Sequence, residues 1–117
     1  MPRRSRLSVL LVALVVLAGV VYLTNGVATQ RAIEHEEAYL NSQLSNATCL
    51  TSYGTTETTS RTRASVVGYG LTSRTVRVQH AYWFSTGELD ADGSSEATYE
   101  VTIDSVRRVG GDSVTPC

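Results

Sequence analysis

The sequence predicts an α+β protein: an N-terminal transmembrane (or signal) helix continues into an amphipathic helix, and a small antiparallel β-sheet of 3–4 strands follows. Three observations predict this order. An uncharged apolar run occupies residues 7–23. A stretch rich in Ala, Glu and Gln, residues 29–45, is typical of a helix. From Arg63 onward, β-branched and aromatic residues alternate with polar ones, as in strands.

The apolar run is long enough to cross a bilayer if it extends to residue 28. As a helix, residues 7–28 would cover about 33 Å, against a hydrocarbon core of about 30 Å. Arg3, Arg4 and Arg6 precede the run, whereas acidic residues follow it. The positive-inside rule therefore places residues 1–6 in the cytoplasm, residues 7–28 in the bilayer and residues 29–117 outside, as a small extracytoplasmic α+β domain.

A cleavable secretory signal is the competing interpretation of the same run. Small residues suit cleavage after Ala18 or Ala28. The run is longer than the usual apolar region of a signal, about 7–15 residues, which favours a retained single-pass anchor. Cleavage would instead give a secreted domain.

Charge and cysteine content narrow the classes of function. All ten basic residues are arginine, so the chain offers no lysine for a P-loop or a Schiff base. From residue 29 onward, the chain has seven arginines and eleven acidic residues, a net charge of −4 that argues against a nucleic-acid partner.

Cys49 and Cys117 are the only cysteines and predict one disulfide, with a redox thiol or an intermolecular bridge as alternatives. Asn46 opens an Asn-Ala-Thr sequon and is a predicted glycosylation acceptor.

The predicted second helix carries three glutamates and a histidine at residues 34–37, Glu-His-Glu-Glu. A zinc-peptidase helix needs a second His four residues after the first, where Tyr39 stands, so we predict a solvated acidic face and no metal site. Thr29 is a candidate N-cap, and the alternative is a helix that runs unbroken out of the bilayer, which the Ala, Glu and Gln content also suits. Ile33, Leu40 and Leu44 form a weak apolar stripe that predicts docking on the sheet, with an oligomeric contact as the alternative.

Strands are predicted at 63–69, 75–85 and 97–109, with a short edge strand at 112–115. Residues 51–62, rich in Ser and Thr, suit a linker, an O-glycosylated segment or the start of a strand. The second strand should turn one set of side chains to the core: Val76, Val78, His80, Tyr82 and Phe84. The other set should face away: Thr75, Arg77, Gln79, Ala81 and Trp83. Tyr99, Val101 and Ile103 should face the core from the third strand, and cross-strand pairing should join Arg77 to Glu100 or Asp104.

The segment between the second and third predicted strands offers several oxygen ligands, from Asp90, Asp92, Ser94 and Glu96. An EF-hand counted from Asp90 fails, since its sixth position is Ser95 and its twelfth is Val101. We therefore predict a solvated hairpin loop with its turn at residues 92–93 and no bound calcium.

The functional prediction is an interaction protein. The chain shows no Gly-x-Ser-x-Gly motif, no base beside Cys49 and no cofactor fingerprint, which predicts a non-enzymatic role without cofactors. Trp83, Arg77 and Gln79 are predicted partner contacts; for Trp83 the alternative is burial under the helix. We expect a membrane-anchored accessory protein of the cell envelope that contacts the bilayer through residues 7–28 and binds another envelope protein.

The order of a long N-terminal helix, an antiparallel sheet and a C-terminal disulfide is similar to type IV pilins. The resemblance covers most of the chain in outline and implies a structural subunit of a surface assembly. It departs from the family at the prepilin signature. No Gly precedes the apolar run as a processing site, and the fifth position of the run is Leu11 rather than Glu.

Overall fold

The computed structural model describes residues 6–14, 24–55 and 62–117. Residues 6–14 form a helical segment, α1. Among these described residues, no helix combines the length and the apolar character that a membrane crossing requires. The predicted transmembrane helix therefore has no support from them. Residues 15–23 of that prediction, residues 1–5 of the basic N-terminus and residues 56–61 of the Ser/Thr-rich stretch lie outside the described ranges.

The second helix, α2, spans Asn25–Asn46 and has its own N-cap. Thr24 is extended, with φ −70° and ψ 162°, and its hydroxyl accepts a hydrogen bond from the Val27 amide at 3.2 Å. Of the two alternatives, the helix that runs unbroken out of the apolar run is wrong, because the chain is extended at Thr24. The predicted N-cap Thr29 instead lies inside the helix, where its hydroxyl donates to the Asn25 carbonyl at 2.9 Å.

The first turn of α2 already belongs to the folded domain. Ala28 and Ala32 are fully buried and pack in one cluster with Val76, Val78 and Tyr99. The hydrophobic pattern alone instead predicts Ala28 as part of the membrane segment, residues 7–28. Cleavage after Ala28 would remove the first turn of the helix and one core residue, so a signal that leaves this domain intact has to end before Thr24.

Thr24→Ala should lower the free energy of unfolding by about 1 kcal/mol, because the Val27 amide loses its acceptor. Thr29→Ala is the matched control and should change it by less than about 0.5 kcal/mol. Urea denaturation followed by circular dichroism measures both. Equal losses would contradict the assignment of Thr24 as the cap.

The sheet is antiparallel and has five strands, which confirms the predicted α+β class and antiparallel sheet but exceeds the predicted 3–4 strands. The strands are β1 Ser52–Gly54, β2 Arg63–Tyr69, β3 Ser73–Ser85, β4 Asp90–Thr102 and β5 Val106–Gly111. β3 pairs with β4 along its whole length, and β5 follows β4 at the far edge. β1 and β2 pair with the two ends of the other side of β3.

Strand boundaries agree with the prediction for β2 and differ most around β4. The predicted strand 97–109 is two strands, because residues 103–105 turn between β4 and β5. β4 begins at Asp90, and Gly93 lies within it opposite Tyr82, so the predicted turn at residues 92–93 is wrong. The turn lies at residues 86–89, where the Thr86 amide donates to the Leu89 carbonyl at 2.9 Å and Gly87 has φ +90°. Residues 112–115 form no strand.

The helix α2 packs on one face of the sheet. Val76, Val78 and His80 of β3 are buried there, as predicted, and so are Tyr99 and Val101 of β4. Ile103 departs from the prediction, since it lies in the turn after β4 with 47% of its surface exposed. Alternation along the strands points the remaining side chains to the opposite face, which we call the helix-free face because no helix of the described ranges packs on it.

The predicted disulfide is confirmed. Cys49, in the loop after α2, is bonded to Cys117 with their Cα atoms 6.0 Å apart. The disulfide connects the segment that follows β5 to the loop at the C-terminal end of α2.

Candidate functional site

The three predicted partner residues share one face of β3. Arg77, Gln79 and Trp83 occupy alternate positions on the strand, opposite in direction to Val76 and Val78, which meet α2. Trp83 is 39% exposed. The alternative in which the helix covers Trp83 is therefore wrong, and this helix-free face is the candidate interaction surface.

The side chains at the centre of this face are polar and are held only by weak contacts with one another. Arg77 Nε lies 3.7 Å from Glu96 Oε1, and Gln79 Nε2 donates to Ser94 Oγ at 3.3 Å. The predicted pairing of Arg77 is wrong, because Thr98 stands opposite it and Glu100 binds Arg107 at 3.0 Å. Exposed ion pairs of this kind contribute less than about 1 kcal/mol, so a partner can displace them at little cost.

A shallow depression of about 360 Å³ opens over these side chains, lined by Arg63, Ala64, Ser65, Arg77, Gln79 and Glu96. Arg63 stands opposite Gln79 on β2. The depression brings two guanidinium groups, an amide and a carboxylate to one patch, which suits hydrogen bonding to polar groups of a protein surface.

Trp83 is supported from below by a glycine. A Cβ atom built on Gly54 of β1 would lie 2.6 Å from the indole Nε1, so the ring rests on this backbone in the space that a side chain would fill. Beside the ring is a second cleft of about 340 Å³, lined by Ser52, Trp83, Phe84, Ser85, Asp90, Ala91 and Asp92. The indole is thus held in position while part of it stays open to a partner.

On the other face of the sheet, the acidic side chain of Glu36, in α2, is fully buried. Tyr99 donates its hydroxyl to Oε2 at 2.8 Å, and Ser95 donates to Oε1 at 3.1 Å. Arg108 adds Nε to Oε2 at 3.2 Å and Nη2 to Oε1 at 3.3 Å. The predicted solvated acidic face is therefore wrong for Glu36, although its neighbours Glu34 and Glu37 are exposed.

The donors around Glu36 are themselves fixed by further contacts. The Arg108 guanidinium lies over the Tyr39 ring, 4.0 Å from its centroid, and donates to the Asp112 carbonyl at 2.7 Å. Burial opposes the charge of Arg108, but the hydrogen bonds and charge of Glu36 outweigh it and raise the pKa of Arg108. Burial, reinforced by Glu36, raises the pKa of Tyr99, which keeps its phenol protonated as a donor.

This cluster joins α2, β4 and β5. Both carboxylate oxygens of Glu36 accept hydrogen bonds from these side chains, so we assign the cluster a structural role. Sequence reasoning missed it, although one signal was present. Glu36 continues the four-residue spacing of the buried positions Ala28, Ala32, Leu40 and Leu44.

The remaining sequence candidates do not converge. Asp90, Asp92, Ser94 and Glu96 alternate along one face of a strand, about 7 Å apart, and do not form a calcium cage. Within the described ranges, no group of His, Cys, Asp or Glu is placed to hold a metal ion. Asn46 is the exposed last residue of α2, and its glycosylation stays a prediction.

Comparison with known proteins gives no match to a protein family, to a curated protein or to a solved structure.

Proposed function

We propose that this chain is a membrane-anchored, extracytoplasmic interaction protein that binds another envelope protein through the helix-free face of its sheet. The observation that supports this most is the alignment of Arg77, Gln79 and Trp83 on that face. The anchor is supported by the apolar run 7–23 with its preceding arginines. The extracytoplasmic location is supported by the Cys49–Cys117 disulfide, since such bonds persist in oxidising compartments.

The chemistry of the face supports a protein partner. Protein interfaces combine a large aromatic anchor with polar groups around it, and Trp and Arg are over-represented among residues that dominate binding. Trp83 supplies the aromatic anchor at one end of the face, and Arg63 and Arg77 supply charged donors at its centre. A partner segment with carboxylate or carbonyl acceptors beside an apolar pocket would complement this arrangement.

Site-specific photocrosslinking in the native host tests the proposal. A crosslinking amino acid placed at Gln79 should trap one discrete partner protein, because this side chain lies at the centre of the face. The same amino acid at Glu34, on the exposed side of α2, is the control and should trap none. Equal adducts at both positions, or none at Gln79, would contradict the proposal.

Trp83→Ala should abolish the adduct formed at position 79 while the domain stays folded, at a cost of about 1–2 kcal/mol in stability. Tyr53→Ala is the matched control, because Tyr53 is 41% exposed on β1 but pairs with Phe84 and faces the other side. This variant should keep the adduct. Thermal unfolding checks both proteins, and loss of folding in the Trp83 variant would make that residue structural.

A pilin-like subunit is the second candidate. It is favoured by the packing of α2 on an antiparallel sheet and by the disulfide that closes the C-terminal segment. Electron microscopy of the host surface tests it, and labelled filaments containing this chain would support it. A secreted binding module would follow from signal cleavage, and N-terminal sequencing of the mature protein identifies that case.

A further inference from the structure

We infer that the end of the domain at which α2 begins rests on the surface of the lipid bilayer. Ser73 pairs with Thr102, so the β2–β3 turn (residues 70–72) and the β4–β5 turn (residues 103–105) lie side by side at one end of the sheet. The start of α2 lies at the same end, because Asn25 Nδ2 donates to the Tyr69 hydroxyl at 3.0 Å. We call this the proximal end, and we define it by Tyr69, Leu71, Ile103, Arg31 and Arg74.

The proximal end exposes large apolar side chains. Leu71 is 94% exposed, the most of any large hydrophobic residue that the structure describes, and Tyr69 is 68% exposed. Ile103, in the neighbouring turn, is 47% exposed. Apolar side chains presented together at loop tips are suited to insertion among lipid headgroups, where tyrosine is also favoured.

Two arginines flank these side chains without a carboxylate partner among the described residues. Arg31 donates to the carbonyls of Thr102 and Ile103, at 2.6 and 3.1 Å. Arg74 donates to the Ser73 carbonyl at 2.9 Å and lies over the Tyr69 ring, 5.0 Å from its centroid. No carboxylate among the described residues offsets the positive charge of either guanidinium group, so both are suited to anionic lipid headgroups.

The charge along the domain is asymmetric. Asp104 is the acidic residue in the two proximal turns. The opposite end, reached by β3 after about 40 Å, carries Glu88, Asp90 and Asp92, which form no salt bridge within the described part of the chain. An anionic surface would attract the proximal end and repel the opposite one.

The path of the chain identifies the bilayer as the occupant. The domain begins at Thr24, directly after the apolar run 7–23. This step depends on the proposed membrane anchor. With the run in the bilayer, the proximal end lies next to the headgroups, and its apolar and basic side chains meet the surface that fits them.

Tryptophan quenching in liposomes tests the inference with the full chain. Leu71→Trp and Leu89→Trp, each retaining Trp83, place a probe in a turn at either end, and both leucines are exposed. The liposomes contain zwitterionic and anionic lipids brominated in their acyl chains. The Leu71→Trp variant should emit at shorter wavelength and lose emission to the brominated lipids. In its loss of emission to the brominated lipids, the Leu89→Trp variant should match the unsubstituted chain.

Flotation of the same liposomes separates failure of the inference from failure of the anchor. A chain that floats while the Leu71→Trp probe stays unquenched, or while both probes are quenched equally, overturns the inference and leaves the anchor in place. A shift to shorter wavelength without quenching indicates burial against protein, such as a second copy, and also overturns it. A chain that does not float overturns both.

Discussion

Arg108→Leu is expected to lower the free energy of unfolding by about 3 kcal/mol or more, because it leaves the carboxylate of Glu36 buried without its counter-charge. Glu36 is fully buried and Arg108 is 22% exposed, so water cannot replace the lost guanidinium easily. For a domain whose total stability is about 5–15 kcal/mol, such a loss is large. Urea denaturation at neutral pH measures it.

Arg107→Leu is the matched control for this prediction. Arg107 also pairs with a glutamate, at 3.0 Å, but its side chain is 71% exposed and that of Glu100 is 44% exposed. Its removal should cost less than about 1 kcal/mol. Adding Glu36→Gln to Arg108→Leu should recover part of the loss, because no buried charge then remains. Equal effects of the two arginine substitutions would contradict the role assigned to the buried pair.

Loss of the disulfide is expected to destabilise the domain by about 4 kcal/mol, because the bond closes a long loop and restricts the unfolded chain. Cys49 and Cys117 are separated by 68 positions, so the loop contains the whole sheet. The doubly substituted Cys49→Ser/Cys117→Ser chain should unfold at a lower urea concentration than the oxidised protein.

Reductant provides the internal control for the disulfide. It should shift the unfolding midpoint of the unsubstituted chain toward that of the double-serine variant and leave the variant itself unchanged. A midpoint that is insensitive to both changes would mean that the bond contributes little, and the stability of the domain would then rest on packing.

Local patterns explain which parts of the fold were predictable. The alternation of Val76, Val78 and His80 with Arg77 and Gln79 identifies the two faces of β3, because the side-chain period of a strand is two whatever its neighbours are. The start of β4 was not predictable in the same way. Its first residues, 90–95, are mostly small or acidic and have low strand propensity, yet they pair with the aromatic end of β3.

Some features of the candidate site are likewise predictable from local sequence, and others depend on tertiary contacts. Arg77, Gln79 and Trp83 can be assigned to one face from their spacing alone. The packing of α2 leaves this face open, and the pairing of β1 places Gly54 under the Trp83 ring. Neither contact can be inferred from the spacing. The Glu36 cluster depends on contacts across more than sixty positions of sequence, such as the hydrogen bond between Glu36 and Tyr99.

The sequence by itself determined the α+β class, the position of β2, the two faces of β3 and the disulfide, because periodicity and a single pair of cysteines leave few alternatives. Only the tertiary structure decided that Glu36 is buried against Arg108, and that the proximal end exposes Leu71 beside two arginines for which the described residues provide no carboxylate partner. The physical reason is that burial and charge pairing depend on which distant segments meet. Glu34, Glu36 and Glu37 cannot be distinguished by sequence alone, and only the fold shows that Glu36 is the one that meets Arg108.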